Sequence, residues 1–233
     1  MPQKNKLFNL LGVSQQQTSH TEKLLSILGG FIGIYAIFLV TNQFFEIADA
    51  IYIIPSMGAT AVLLFAAPHT RFSQPWNVFG GHITSAIIGV GCYQLIPDIH
   101  IAAAASVGLA TGTMYYLRCI HPPGGATALA AVIGGAHIHD LSYMYVITPV
   151  LINVTTILII ALIFNAPFKW RRYPPGLIPK LKTSSVYSPI NHEDFVYALS
   201  QVDSLVDIRE EDLQKIYALA TGRKELHANQ KTQ

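Results

Sequence analysis

Charge is what this sequence has least of. Only 12% of its 233 residues are charged, against roughly a quarter in an ordinary soluble domain. From Leu24 to Phe168, 145 residues carry six charges: Glu46, Asp49, Arg71, Asp98, Arg118 and Asp140. A soluble core of that length needs far more polar surface. A soluble enzyme, a nucleic-acid binder and a disordered chain are excluded, and a net charge of +2 is too small to suggest a polyanionic partner. Cysteine is also scarce. Cys92 and Cys119 lie in or beside apolar runs, which argues against a disulfide framework. No carboxylate falls inside an apolar run and neither cysteine has an obvious base, so the parts of an intramembrane hydrolase are missing. No enzyme activity and no cofactor is expected. His137-x-His139-Asp140 is weak spacing for a metal.

What the chain has instead is apolar length, with 51% hydrophobic residues. Six apolar segments occupy 24–43, 51–67, 78–96, 100–117, 120–135 and 143–166. A helix crosses the hydrocarbon in about 17–25 residues. The second and fifth segments are the shortest, with 17 and 16 residues, and both are rich in Pro and Gly. The first run starts too late and is too long for a cleaved signal peptide, so it reads as a retained span. The connections alternate in sign: Lys4, Lys6 and Lys23; Glu46 and Asp49; Arg71; Asp98; Arg118; Asp140; then Lys169, Arg171 and Arg172. Six crossings with both termini cytoplasmic place all 15 Lys and Arg on the inner side, as the positive-inside rule requires.

Segment two contains Pro55-Ser56-Met57-Gly58-Ala59-Thr60-Ala61, and segment five Pro122-Pro123-Gly124-Gly125-Ala126-Thr127-Ala128. Both read P-x-x-G-A-T-A, 67 residues apart. The repeat divides the region into halves 24–96 and 100–166 of three spans each. Because three is odd, the halves form an inverted repeat about an axis in the membrane plane. Proline suits a first helical turn, glycine permits close approach, and first-turn N–H groups lack helical acceptors. Two such helix starts facing the bilayer interior can hold a small anion without a buried Lys or Arg. Gly, Ala and Thr in membrane helices also serve tight packing, and that reading stands beside the first.

Two histidines lie at span depth. His121 precedes Pro122, and His82 follows Gly80-Gly81. Either can attract an anion, carry a proton, or simply bond to backbone. Asn153, mid-span, needs a partner, and Thr84, Ser85, Thr111, Thr113, Thr155 and Thr156 are weaker polar signals. His69, His100, His137 and His139 read as solvated loop residues. Gly29-x-x-x-Gly33 and Gly108-x-x-x-Gly112 suit packing between helices or in a homo-oligomer. Residues 1–23 form a cytosolic lead. Residues 169–190 form a Pro-rich linker, and 191–233 a hairpin of two short amphipathic helices, carrying Phe195, Leu199, Val202 and Leu205, then Leu213, Ile216, Tyr217 and Ala220.

The run from His121 to Ala128 resembles the signature of the HPP family of integral membrane proteins. Pro55 to Ala61 and the stretch Gln74 to His82 resemble its two other recurrent motifs, and the likeness covers residues 20–170. It implies a multi-span protein, with nitrite transport associated with plastid and cyanobacterial relatives; family accounts count four or five spans where the charges favour six. With no plastid-targeting segment in view, a bacterial inner membrane is expected. The combined expectation is an all-α membrane protein of six helices. Its partners are the lipid bilayer and a small anion, nitrite first, held at Pro55, Ser56, Gly58, Ala59, Thr60, His82, His121, Pro122, Pro123, Gly124, Gly125, Ala126, Thr127 and Asn153. The competing readings are transport of another small solute, or a sensor or assembly subunit acting through the C-terminal hairpin.

Overall fold

The computed structural model describes residues 18–43 and 54–174, together with Tyr217. The chain divides into two compact units, His20–Pro179, and Met1–Ser19 with Lys180–Gln233. The N-terminal lead before residue 18, the linker from 175 onward and, apart from a helical Tyr217, the C-terminal hairpin lie outside the described residues.

Every described element is helical. Helix α1 spans His20–Thr41, α2 Ile54–Ala66, α3 Pro75–Leu95, α4 Ile99–Tyr116, α5 Pro122–Ile133, α6 Gly135–Leu141 and α7 Ile152–Asn165. Proline begins α3 and α5, where its fixed φ suits the first turn and its missing N–H goes unneeded. Asp98 caps α4, its carboxylate accepting the N–H groups of His100 and Ile101 at 2.9 and 3.0 Å. Three stretches, α1, α3 and Val146–Asn165, are long and apolar enough to cross a membrane, while α2 and α5 are shorter apolar helices.

Two local features depart from the sequence reading. The last segment is not one smooth helix. Pro149 lies within Val146–Leu151, Thr148 is extended at φ −123°, and the hydrogen bonds there widen to a π-type turn. A proline that cannot donate and clashes with the preceding turn accounts for this. Residues 136–141, expected as loop, belong to α6, entered through Gly135 at φ +77°, a backbone angle that favours glycine. His139 is consequently not simply solvated: it stacks on Tyr93 with ring centroids 3.6 Å apart and contacts the Val132 carbonyl at 2.9 Å.

The helices alternate in direction. At one end Arg171, just past α7, pairs with Glu22 in the first turn of α1 and donates to the carbonyl of Phe65 in the last turn of α2 at 2.6 Å. Tyr173 donates to the Ser73 carbonyl in the α2–α3 connection at 2.6 Å. Trp76 at the start of α3 donates to Leu117 past the end of α4 at 3.2 Å, and Asn77 donates to Ile120, just before α5, at 2.8 Å. At the other end Thr41, closing α1, donates to Asn153 in the first turn of α7 at 3.2 Å, and Gln94 near the end of α3 donates to Ser142 at 2.7 Å. Arg71, Arg118, Arg171 and Arg172 therefore gather at one end, and Asp98 and Asp140 at the opposite one. Glu22 and Arg171 are 3% and 0% exposed. Trp170 and Asn165 complete their shell, at 3.0 Å from Glu22 and 3.1 Å from Arg171. The surrounding carbonyl and amide satisfy the donors that burial takes from water.

The outer surface is apolar, and the interior sets buried polar groups within an apolar core that includes Ile37, Met57, Leu64 and Ile157. Leu24, Ile27, Phe31, Leu109, Ile159 and Ile163 are exposed, whereas Thr60, His82, Ser85, Ser106, His121, Thr127, Asn153 and Asn165 are buried. Apolar residues facing outward with polar ones inward is the pattern lipid demands. Packing inside relies on close approach. Gly29 and Gly33 of α1 receive the ring of Phe65, so this glycine pair serves contact within the chain. Gly108 and Gly112 of α4 face open space.

Candidate functional site

The two P-x-x-G-A-T-A motifs adopt the same helical register. In each, the proline is exposed, the next two residues are buried, the glycine is half-buried, Ala59 or Ala126 is exposed, and the threonine and last alanine are buried. The duplication in sequence is therefore a duplication in presentation, since one helical phase points the same positions inward. The inward group that matters is the threonine.

Helix α3 brings these threonines together. It crosses α5 at near backbone contact. A Cβ at Gly81 would stand 2.5 Å from the His121 Cβ, and one at Gly124 would stand 2.8 Å from the Gly81 carbonyl. A Cβ at Gly89 would meet the Ala128 carbonyl. The close crossing seats His82 between the motifs. Thr60 Oγ1 lies 2.8 Å from His82 Nε2, and Thr127 Oγ1 lies 2.7 Å from His82 Nδ1. Thr60 Oγ1 also lies 2.9 Å from His121 Nε2, and the two imidazoles meet edge to face with centroids 4.9 Å apart. His121 Nδ1 is 2.8 Å from the Phe72 carbonyl. His82 sits seven residues into α3, about 10 Å from its start at about 1.5 Å per residue. All four side chains are buried.

The proton positions follow from what each atom can do. A carbonyl only accepts, so His121 donates from Nδ1 to Phe72. In a neutral ring Nε2 then accepts, and Thr60 donates to it. His82 Nε2 must donate to Thr60, leaving its Nδ1 to accept from Thr127. One polarised chain results: Thr127 to His82 to Thr60 to His121 to Phe72. The tautomers are assigned by this logic.

Other expected site residues fall elsewhere. Pro55, Ala59, Pro122 and Ala126 face outward. Gly58 meets nothing within 4 Å and Gly125 only Val107 at 3.8 Å. The close approach expected of these two glycines belongs instead to Gly81 and Gly124, because the crossing partner passes one position earlier. Ser56 is buried and its carbonyl lies 3.0 Å from Thr60 Oγ1. Pro123 is buried, and its carbonyl lies 3.5 Å from Thr127 Oγ1. The Gly124 N–H already donates to the His121 carbonyl at 2.8 Å, and the prolines before it have none, so the hydroxyls rather than the first N–H groups serve the interior. Asn153 accepts from Thr41 at the far end of α1 through Oδ1, and its buried Nδ2 has no hydrogen-bond partner among the described residues.

Ser85 is the residue sequence reasoning undervalued. Its Oγ is fully buried, has no hydrogen-bond partner among the described residues, and stands 2.9 Å from where a Gly124 Cβ would be. It follows His82 by three positions, which puts both on one face of α3; that spacing was the available signal. Tyr145 adds a further buried donor, to the Thr127 carbonyl at 3.2 Å. Outside the spans, burial lowers the pKa of His69 below 6.5, partly offset by its contact with the Arg172 carbonyl.

The chain is 37% identical over 153 residues to a transmembrane protein of Dictyostelium discoideum, covering 64% of this chain and 49% of that one. A second transmembrane protein of the same organism is 31% identical over 151 residues, covering 63% and 53%. The chain thus spans about half the length of the curated relatives it matches. No solved structure matches it. The family model for the HPP transmembrane region matches residues 15–174, and the chain belongs to that family.

Proposed function

We propose that this protein moves a small anion across a membrane, with nitrite the best single candidate. One observation carries the reading: equivalent threonines of a duplicated motif converge on a single buried imidazole, beside a buried hydroxyl that has no partner among the described residues. A repeat whose halves meet at one polar site, deep among apolar helices, is how secondary transporters build a substrate site. An anion fits this site better than a cation. Helices α2, α3 and α5 carry no carboxylate. The Ser85 hydroxyl, which has no partner among the described residues, stands beside Gly124 in the first turn of α5 and can donate to an anion.

The alternating helix directions and the gathering of arginines at one end favour six crossings as a three-plus-three inverted repeat, with both termini cytoplasmic in a cell membrane. Rocking of the two halves around the site would give access from each side.

The test is uptake into proteoliposomes of nitrite, nitrate, formate, bicarbonate and chloride, with empty liposomes subtracted because neutral nitrous acid crosses lipid. Saturable nitrite uptake that falls in Thr60→Val and Ser85→Ala supports the reading. No protein-dependent flux of any of these anions overturns it.

A further inference from the structure

We infer that the site takes up its anion together with one proton, making the transport an anion–proton symport; this rests on the anion reading above. The histidines are surrounded by more acceptors than their neutral state uses. In the neutral state, Thr60 donates to His121 Nε2 and Thr127 donates to His82 Nδ1. Each threonine has a second acceptor within reach, the carbonyl one turn earlier in its own helix: Ser56 at 3.0 Å and Pro123 at 3.5 Å. Rotating one hydroxyl toward that carbonyl frees its oxygen to accept.

A proton added to His121 Nε2 then donates to Thr60, which turns to Ser56. A proton added to His82 Nδ1 donates to Thr127, which turns to Pro123. The cluster therefore accepts a proton at either ring with every donor still paired. With His82 protonated on both nitrogens, its Nε2 proton can pass to the Thr60 hydroxyl as the Thr60 proton passes to His121 Nε2, which moves the charge between the rings and leaves His82 neutral with its proton on Nδ1, facing Thr127.

Among the described residues the loaded proton has no fixed counter-charge. The titratable groups facing the pair are the two rings themselves, Cys119, which lies against Gly80, and Tyr145, whose hydroxyl donates to the Thr127 carbonyl. Helices α2 and α5 bring no titratable side chain, and the buried carboxylate Glu22 is held by Arg171 at the end of the bundle. An imidazolium in an apolar interior is costly without a partner anion. The mobile anion supplies that charge, with Ser85 adjacent to donate to it. Proton and anion enter together from water on one side and leave to water on the other; the proton adds to a ring nitrogen lone pair and is released from it, and no other bond changes.

The experiment uses the full chain in liposomes with nitrite as probe, a trapped pH dye, and membrane voltage set by potassium and valinomycin. Protein-free vesicles correct for nitrous acid leak. Protein-dependent nitrite uptake should rise several-fold when the outside is more acidic than the inside, bring in one proton per nitrite, and ignore imposed voltage. His82→Gln and His121→Gln should lose accumulation driven by the pH gradient; if either fails to fold, Thr60→Val, which keeps the side-chain shape, should lose it too. Nitrite uptake that follows voltage and ignores pH overturns the symport and leaves the anion reading standing. Unchanged proton stoichiometry in the folded variants overturns the assignment to the histidine pair. No protein-dependent nitrite uptake under any gradient removes nitrite transport and the symport with it.

Discussion

Thr60 and Thr127 occupy the same position of a repeated seven-residue motif and contact opposite nitrogens of one ring, His82, at 2.8 and 2.7 Å. An imidazole has two in-plane polar atoms on opposite edges, so it can bridge two hydroxyls that approach from different helices. Each motif faces the other through His82, and the consequences are measurable.

The Phe72 carbonyl forces His121 to carry its proton on Nδ1, and the chain of contacts then forces His82 to carry its proton on Nε2. Nitrogen NMR of labelled histidine above neutral pH should find one ring of each tautomer. Thr60→Val should release the His82 tautomer preference while leaving that of His121, which Phe72 holds.

Glycine substitutions should sort by what a methyl group would meet. Gly89→Ala presses on the Ala128 carbonyl and Gly81→Ala on the His121 Cβ. Backbone and ring cannot yield cheaply, so each should cost about 1–3 kcal/mol. Gly58→Ala and Gly108→Ala meet open space and should leave thermal stability in detergent nearly unchanged. Comparable melting temperatures across the set would contradict the observed crossing of α3 and α5.

Glu22 and Arg171 are buried and paired, and each is bonded further, to Trp170 and to Asn165 and Phe65 respectively. Arg171→Met alone should destabilise by about 3–5 kcal/mol, because it strands the carboxylate. Glu22→Leu with Arg171→Met should recover much of that loss. Thermal melting of the two variants in detergent measures the difference.

Arg71, Asp98, Arg118 and Asp140 are all exposed at helix connections. In a protein with Cys92 and Cys119 replaced by Ser, single cysteines at 71 and 118 should react with an impermeant thiol reagent from one side of the membrane. Cysteines at 98 and 140 should react from the other side. Labelling of all four from one side would exclude six crossings.

His69 is half-buried with its pKa held below 6.5 chiefly by burial. The unfolded chain then binds the proton more readily than the folded one, so this contribution is fully present above about pH 6.5 and declines as pH falls through the folded value. His69→Gln should flatten that part of the acid limb in a melting series, without moving the plateau above it.

Much of this was legible in residues 24–166. Among the described residues, five of the six apolar segments became helices within about four residues of their expected limits, because charge is so scarce that length and apolarity alone mark the boundaries, whereas the sixth, 143–166, is regular α-helix only from Ile152. Proline and Asp98 then set the starts. The motif repeat was legible for the same reason: identical residues in identical helical phase present identical faces. The widened turn at Pro149 and the helix at 135–141 were harder to read, since each depends on how a chain already anchored at both ends is redirected.

The sequence by itself determined a helical membrane chain, its family, the alternation of charge between segments, and the repeated motif with its inward threonines. These follow from local quantities: apolar length, helical phase and the sign of each loop. Tertiary structure decided which polar groups meet. That Gly81 and Gly124, rather than Gly58 and Gly125, carry the close crossing, that one histidine serves both threonines, that Arg171 seeks Glu22 from 149 positions away, and that Ser85 is left unpartnered are facts of helix rotation and approach. A shift of one residue around a helix turns a side chain by about 100 degrees, and only the packing of all the helices together selects among those turns.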